Sequence, residues 1–234
     1  MDKNIPLLTI RATTNQHGFE TLLVSAIGLF ILMLTIQLKP GSILLAEIFL
    51  VSACLVGLLV GYFKLAEPRF SLIFYPEALI FIHKYGSWQV SRKNIAQVGV
   101  PSLTQDFESK MLSCVAIRLC EYGHFLNELA PRLSGKILIE QRHFVREALM
   151  VKAQEMDDLE SYLIEESLFI AADGAKYCGL IAMFANRMIN LRQLIGYDLL
   201  IPLNMLDRAP EEFVYLLNRW QRDPKSIMSA ETQS

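Results

Sequence analysis

The sequence predicts a membrane protein in two parts: an N-terminal hairpin of two transmembrane helices, then an α+β cytoplasmic domain built on an antiparallel sheet. Three observations predict it. Hydrophobic residues make up 53% of the 234 positions, above the roughly 45–50% of ordinary soluble domains. The excess is concentrated between Thr21 and Phe63. After Lys64 charged and apolar residues mix as in a globular domain, first at the two-residue period of strands and then at the helical period.

This divides the chain into a cytoplasmic N-terminal segment over residues 1–18 and a transmembrane hairpin over 19–63, with spans at about 21–38 and 43–63. The α+β domain follows over 64–224, carrying a helical insertion at about 124–175, and residues 225–234 form a disordered tail.

The first span is free of charge from Thr21 to Leu38 and apolar all round. At about 1.5 Å per residue it nearly crosses a hydrocarbon core of about 30 Å. It is long for the apolar part of a signal peptide and is followed by Lys39 and Pro40 rather than a small-residue cleavage site, so a retained helix is expected. The break Lys39-Pro40-Gly41-Ser42 is short, which makes the second span, Ile43 to Phe63, antiparallel to the first. Lys3 and Arg11 precede the pair, Lys64 and Arg69 follow it, and only Lys39 lies between. An excess of basic residues marks the cytoplasmic side, so both ends are expected there.

Two features inside the spans carry alternative readings. Glu47 lies close to the start of the second span, where it serves either as an interfacial glutamate or as an ion-relay residue. Ala53, Gly57 and Gly61 recur every fourth residue, a small-residue stripe that lets a second backbone approach. The stripe serves either a homo-oligomer or packing against the first helix of the same hairpin.

Beyond the membrane, Phe70–Tyr75, Ala78–Lys84, Trp88–Ser91, Ile95–Val100 and Val115–Leu119 are rich in β-branched and aromatic residues and are punctuated by turn residues. They predict a five-stranded meander with a polar connection from Thr104 to Lys110. Helical periodicity then takes over from Phe125 to Met150, with Pro131 dividing or starting helices. The acidic stretch Gln154–Glu166 is read as a solvated connection. A helix from Leu180 to Ile195 is expected to end at Gly196, followed by a strand Tyr197–Ile201. A final amphipathic helix carries Phe213, Val214, Leu216, Leu217 and Trp220, with Asp207 as its N-cap and Pro210 near its first turn.

The chemistry-bearing residues point away from catalysis. No nucleophile elbow, zinc-protease helix, phosphate loop or dinucleotide fingerprint occurs. The four cysteines form no C-x-x-C pair and lack histidines at zinc spacing. Glu140 and His143 form a single E-x-x-H pair, whereas a di-iron bundle needs two. A net charge of −2 gives no footprint for nucleic acid. No cofactor and no metal are expected, and the chain is read as a non-enzyme.

The meander with Trp88, Asn94 and Ile95, and the closing strand, loop and amphipathic helix, resemble the bacterial pleckstrin-homology-like domains that often follow a pair of membrane spans. The segments PRLSGKILIEQR (Pro131–Arg142), AMFANRM (Ala182–Met188), GYDLLIP (Gly196–Pro202) and LDR (Leu206–Arg208) resemble an uncharacterised proteobacterial membrane family, a domain of unknown function. The resemblance implies a multi-pass protein of the bacterial inner membrane. The long helical insertion departs from a simple pleckstrin-like barrel.

Arg132, Arg142, Asn186, Arg187 and Arg192 fall within these strings and are the candidate interaction residues. On one face they would hold an anionic headgroup or a partner's carboxylates. Alternatively they pair internally with Glu140, Glu147 and Asp198. The expected function is a membrane-anchored interaction or scaffold module that meets other membrane proteins; the alternative is sensing of anionic lipid headgroups at the inner leaflet.

Overall fold

The computed structural model describes residues 6–11, 18–38, 41, 44–66, 68, 70–105, 108–152 and 167–227. The chain forms two compact units, one of Ala12–Arg69 and one combining Met1–Arg11 with Phe70–Ser234.

The first unit is a pair of packed helices, α1 (Gly18–Leu38) and α2 (Leu45–Leu65), of 21 residues each. Both are long and apolar enough to cross a membrane. Their apolar side chains, Phe30, Leu34, Phe49 and Leu59 among them, are exposed, an arrangement that suits lipid and not water. The two helices meet through small residues. A Cβ on Gly57 would lie 2.2 Å from the Ser25 hydroxyl, and one on Gly61 would lie 2.8 Å from the Leu22 Cβ. Gly57 and Gly61 therefore lie against α1, the hairpin-packing alternative for the Ala53, Gly57 and Gly61 stripe. Ala53 itself is exposed, and Cys54 faces Gly28 in its place, its sulfur 3.4 Å from the site of a Gly28 Cβ. Glu47 caps α2: its carboxylate accepts a hydrogen bond from the Leu44 amide at 2.8 Å, using a donor the helix leaves open.

The second unit contains two larger sheets in place of the expected single meander. Strands β1 (Leu8–Ile10), β2 (Leu72–Phe74), β3 (Ala78–His83) and β4 (Gly86–Ser91) form an antiparallel sheet in that order. A 3-10 turn at Arg92–Asn94 then leads into β5 (Ile95–Gly99), which pairs with β8 (Cys114–Leu119). Strand β11 (Leu199–Pro202) pairs with the other edge of β8. The polar connection after β5 is itself a hairpin of β6 (Ser102–Gln105) and β7 (Glu108–Met111). Strand β1 comes from the segment before the apolar helices and was not legible in the sequence.

Helices α3 (Gly123–Glu128), α4 (Pro131–Glu140) and α5 (Arg142–Lys152) begin the insertion. It then contains a small ladder of β9 (Phe169–Ile170) and β10 (Lys176–Tyr177), so it is not helical to residue 175. Residues 153–166, and with them the acidic stretch, lie outside the described residues. Helix α6 (Gly179–Ile195) ends at Gly196 in the left-handed conformation, φ 82°, as expected for a residue without a Cβ.

Helix α7 (Pro210–Arg222) starts with Pro210 in its first turn, but its N-cap is Ala209. Asp207 instead pairs with its neighbour Arg208 at 2.8 Å. Residues Pro224–Ile227 form a 3-10 turn with Ile227 buried, so order extends into the expected tail; residues 228–234 lie outside the described residues.

Strand β8 organises the core because both of its faces are covered. Val115, Ile117 and Leu119 join the main core with α3, α4, α6, α7 and both sheets. Cys114 and Ala116 face a second cluster with Phe144, Val145 and Leu149 of α5 and Leu191 and Leu194 of α6. The alternation is that of a strand, with Cys114 and Ala116 buried under α5 and α6 while Arg118, on the same side, is exposed. Helix α7 ties the sheets together: Trp220 and Phe213 meet Phe74 edge-on, and the Trp220 indole donates to the Tyr75 carbonyl at 2.8 Å. Gln221 donates to the Ile95 carbonyl at 2.6 Å.

Candidate functional site

The polar centre of the domain is Asp198, whose side chain is fully buried. Its position follows from local chemistry. Gly196 stops α6 and turns the chain, and the Asp198 amide then donates to the Ile117 carbonyl at 3.0 Å, starting β11 alongside β8. One carboxylate oxygen accepts from the Tyr122 hydroxyl at 2.7 Å and from Arg192 Nε at 2.7 Å. The other accepts from the Leu119 amide at 2.6 Å and from Arg192 Nη2 at 2.5 Å. Arg192 Nη2 also donates to the Leu119 carbonyl at 2.7 Å, and the guanidinium lies 5.0 Å from the centre of the Tyr122 ring.

A buried carboxylate supplied with four donors is a satisfied anion. Burial first, and then the hydrogen bond to Asp198, push the Tyr122 hydroxyl well above its ordinary value, so it stays a donor. The bond to Asp198 raises Arg192 in turn. The arrangement staples α6, β8, β11 and the β8–α3 connection.

Arg187, one turn earlier on α6, is also buried. Burial and then the positive charge of Arg142 pull its guanidinium down to about 10. It lines a small cavity with Trp88, Gln141, Phe184 and Asp198. Only about 10 Å³ of that space admits a water molecule, room for roughly one. Gln141, at the α4–α5 junction, donates from the cavity wall to the Leu200 carbonyl at 2.9 Å.

The five candidate residues therefore do not share one face. Arg132 and Arg142 are exposed on α4 and α5, Asn186 and Arg187 are buried on α6, and Arg192 is bound to Asp198. Asn186 donates to the carbonyl and the hydroxyl of Ser167, each at 3.0 Å. The internal pairing weighed from the sequence holds for Arg192 with Asp198, whereas Glu140 pairs with Lys136 and Glu147 with Lys110. Tyr122 lies outside the quoted strings and Gln141, although inside Pro131–Arg142, is an uncharged residue with no sequence signal of its own; only the fold brings them to this centre.

The Glu140–His143 pair spans the α4–α5 junction. Glu140 is used by Lys136 at 3.1 Å and by His83 at 3.9 Å, while His143 Nδ1 sits 2.9 Å from the Glu140 backbone carbonyl. Among the described residues no group of three or more His, Cys, Asp or Glu is placed to hold a metal. Cys114 is pushed up to about 12 by burial and by the negative charge of Glu147, which keeps it a thiol.

No curated protein and no solved structure matches the chain. A family model described as "Protein of unknown function (DUF2982)" matches residues 72–223, from the start of β2 to the end of α7. That span holds the Asp198 centre, both larger sheets apart from β1, and the whole insertion, and it exceeds half of the 234 residues. The chain belongs to the DUF2982 family.

Proposed function

We propose that this protein is a membrane-anchored interaction module without catalytic activity. Its α+β domain would stand on the cytoplasmic side of a bacterial inner membrane and meet other membrane proteins there. The observation that carries the reading is the pairing of β1 with β2, Ile10 opposite Leu72 and Leu8 opposite Phe74. One strand precedes the two apolar helices and the other follows them. Strands of one sheet occupy one side of a bilayer, so the chain between them crosses an even number of times. Two 21-residue helices, each about 31 Å long at ~1.5 Å per residue, supply two crossings. The basic residues flanking the pair favour the cytoplasm for both ends.

A four-stranded sheet, a three-stranded sheet and a C-terminal helix packed across both support the pleckstrin-homology-like resemblance. The internal use of the polar centre favours binding through the surface over chemistry in a pocket. A tether of this kind raises the local concentration of membrane-resident partners. Lipid recognition through Arg132, Arg142, Asn186, Arg187 and Arg192 together is the weaker reading, because three of the five are held within the domain.

Two measurements test the proposal. In intact cells, a cysteine at Gly41 should react with a membrane-impermeant maleimide and one at Glu211 should not; the reverse pattern overturns the topology. Photo-crosslinkers on exposed α7 positions such as Tyr215 should capture discrete membrane proteins in the native membrane. Failure of any such adduct to form at all sites tried overturns the partner reading.

A further inference from the structure

We propose that one end of the four-stranded sheet is a surface that rests on anionic phospholipid headgroups, built from Arg11, Lys84, Tyr85, Arg132, Lys136 and Ile139. The proposal rests on the membrane-anchored reading above and names a partner surface for it.

The strand register defines that end. Ile10 is opposite Leu72, Leu72 opposite Phe81, and Phe81 opposite Trp88. One step further along the strands come Arg11, Ser71 and the pair Ile82 and Ser87, and one step beyond that the pair His83 and Gly86, closed by the turn Lys84–Tyr85. Arg11 and Phe70 are also where the chain departs for the apolar helices and returns from them. Four residues separate Leu65, the last of α2, from Phe70. At most about 3.5 Å per residue, that tether reaches roughly 17 Å. Chain length alone therefore holds Phe70, at this end of the sheet, within roughly 17 Å of the last residue of the second apolar helix.

The side chains there suit such a neighbour. Arg11, Lys84 and Tyr85 are exposed. The ammonium groups of Lys84 and Lys136 lie 5.3 and 5.5 Å from the centre of the Tyr85 ring, and the Arg11 guanidinium lies 5.7 Å from that of Phe70. Helix α4 is brought alongside by the Ala130 amide, which donates to the Ser87 carbonyl at 3.3 Å. Arg132 lies one turn from Lys136 on the same face. Ile139, in the turn after, is 72% exposed. Glu140 faces this cluster too, 3.1 Å from Lys136 and 3.9 Å from His83, and offsets part of its charge.

Tyrosine flanked by cations, with an exposed aliphatic residue on the helix that carries one of them, is the composition of a membrane interface. Juxtamembrane Lys and Arg are drawn to the negative inner leaflet. The cations are spread along a sheet end and a helix and do not converge on a point, which fits a plane of headgroups and not a single soluble phosphate.

The test uses the full chain reconstituted in vesicles, with Cys54→Ala, Cys120→Ser and Cys178→Ser as background; Cys114 is buried and stays. A fluorophore is attached through Ser87→Cys, beside the proposed surface, or through Glu77→Cys at the opposite end of the sheet, and bromine-labelled lipid serves as quencher. Replacing one third of the phosphatidylcholine with phosphatidylglycerol should raise quenching about twofold or more at Ser87→Cys and leave Glu77→Cys unchanged. Adding Lys84→Glu, Arg132→Glu and Lys136→Glu should abolish the rise, with tryptophan emission confirming the fold. Equal quenching at both sites, no rise with phosphatidylglycerol, or a rise that survives charge reversal overturns the proposal while leaving the anchor in place. Loss of the chain from vesicles in alkaline carbonate overturns the anchor, and the surface with it.

Discussion

Arg192 and Asp198 meet across the end of α6 in a two-point pair, Nε to one carboxylate oxygen at 2.7 Å and Nη2 to the other at 2.5 Å. Asp198 is fully buried while Arg192 is 31% exposed, so the carboxylate carries the greater desolvation cost and depends on its donors. Asp198→Ala takes the acceptor from the Leu119 amide, the Tyr122 hydroxyl and Arg192 Nε, and leaves Arg192 Nη2 only the Leu119 carbonyl. We expect a loss of roughly 3 kcal/mol, read as a lowered urea midpoint for the detergent-solubilised chain. Arg192→Ala should cost as much or more, since it leaves the fully buried carboxylate without its charged partner, whereas water reaches the Arg192 side.

Alkaline pH should erode the same centre through Tyr122. Its folded-state value is raised above the unfolded value near 10. Below the unfolded value both states hold the proton and the stabilisation is complete. Above it the unfolded chain gives up the proton first, so stability falls as pH rises. Tyr122→Phe should flatten that part of the fall in a series of unfolding curves from pH 8 upward. Cys114→Ala should act in the same sense from about pH 9, since burial raises that thiol as well.

The N-terminal strand should be needed for a domain whose family match begins only at residue 72. Ile10 is fully buried, and the Ser71 hydroxyl lies within hydrogen-bonding reach of the Ile10 carbonyl (3.3 Å) and the Met205 carbonyl (2.6 Å). Ile10→Ala is expected to cost about 2–5 kcal/mol. A fragment starting at Phe70 should protect the amides of β2 from hydrogen exchange far less than the full chain does.

Helix α7 holds the four-stranded sheet through the Trp220 indole and reaches the three-stranded sheet through Gln221. Trp220→Ala should cost about 3–5 kcal/mol from lost packing against Phe74 and its neighbours. Trp220→Phe should cost less, chiefly the hydrogen bond to the Tyr75 carbonyl, about 1 kcal/mol. Thermal unfolding followed by far-UV circular dichroism separates the two.

The hairpin should tolerate bulk at one small residue and reject it at another. Ala53→Leu points outward and is expected to be neutral. Gly61→Leu places its Cβ within 2.9 Å of the Leu22 backbone and should cost about 1–3 kcal/mol, read as a lower melting point in detergent. Equal effects at the two positions would favour a dimer stripe.

Composition and local periodicity determined the two apolar helices, the positions of α4, α6 and α7, and the stop at Gly196. Each depends on residues close in sequence: an uncharged run, a repeat near 3.6, a glycine free to take positive φ. The candidate arginines were legible as a set, but their fates were not, because exposure of Arg132 and burial of Arg187 depend on which neighbour each helix face meets. Tertiary structure alone decided that Leu8–Ile10 joins the sheet after some sixty intervening residues, that the strands divide between two sheets, and that Tyr122 and Arg192 converge on Asp198. A three-residue strand has no period to detect. Its pairing comes from burying Ile10 against a distant sheet, a gain that exists only once that sheet has formed.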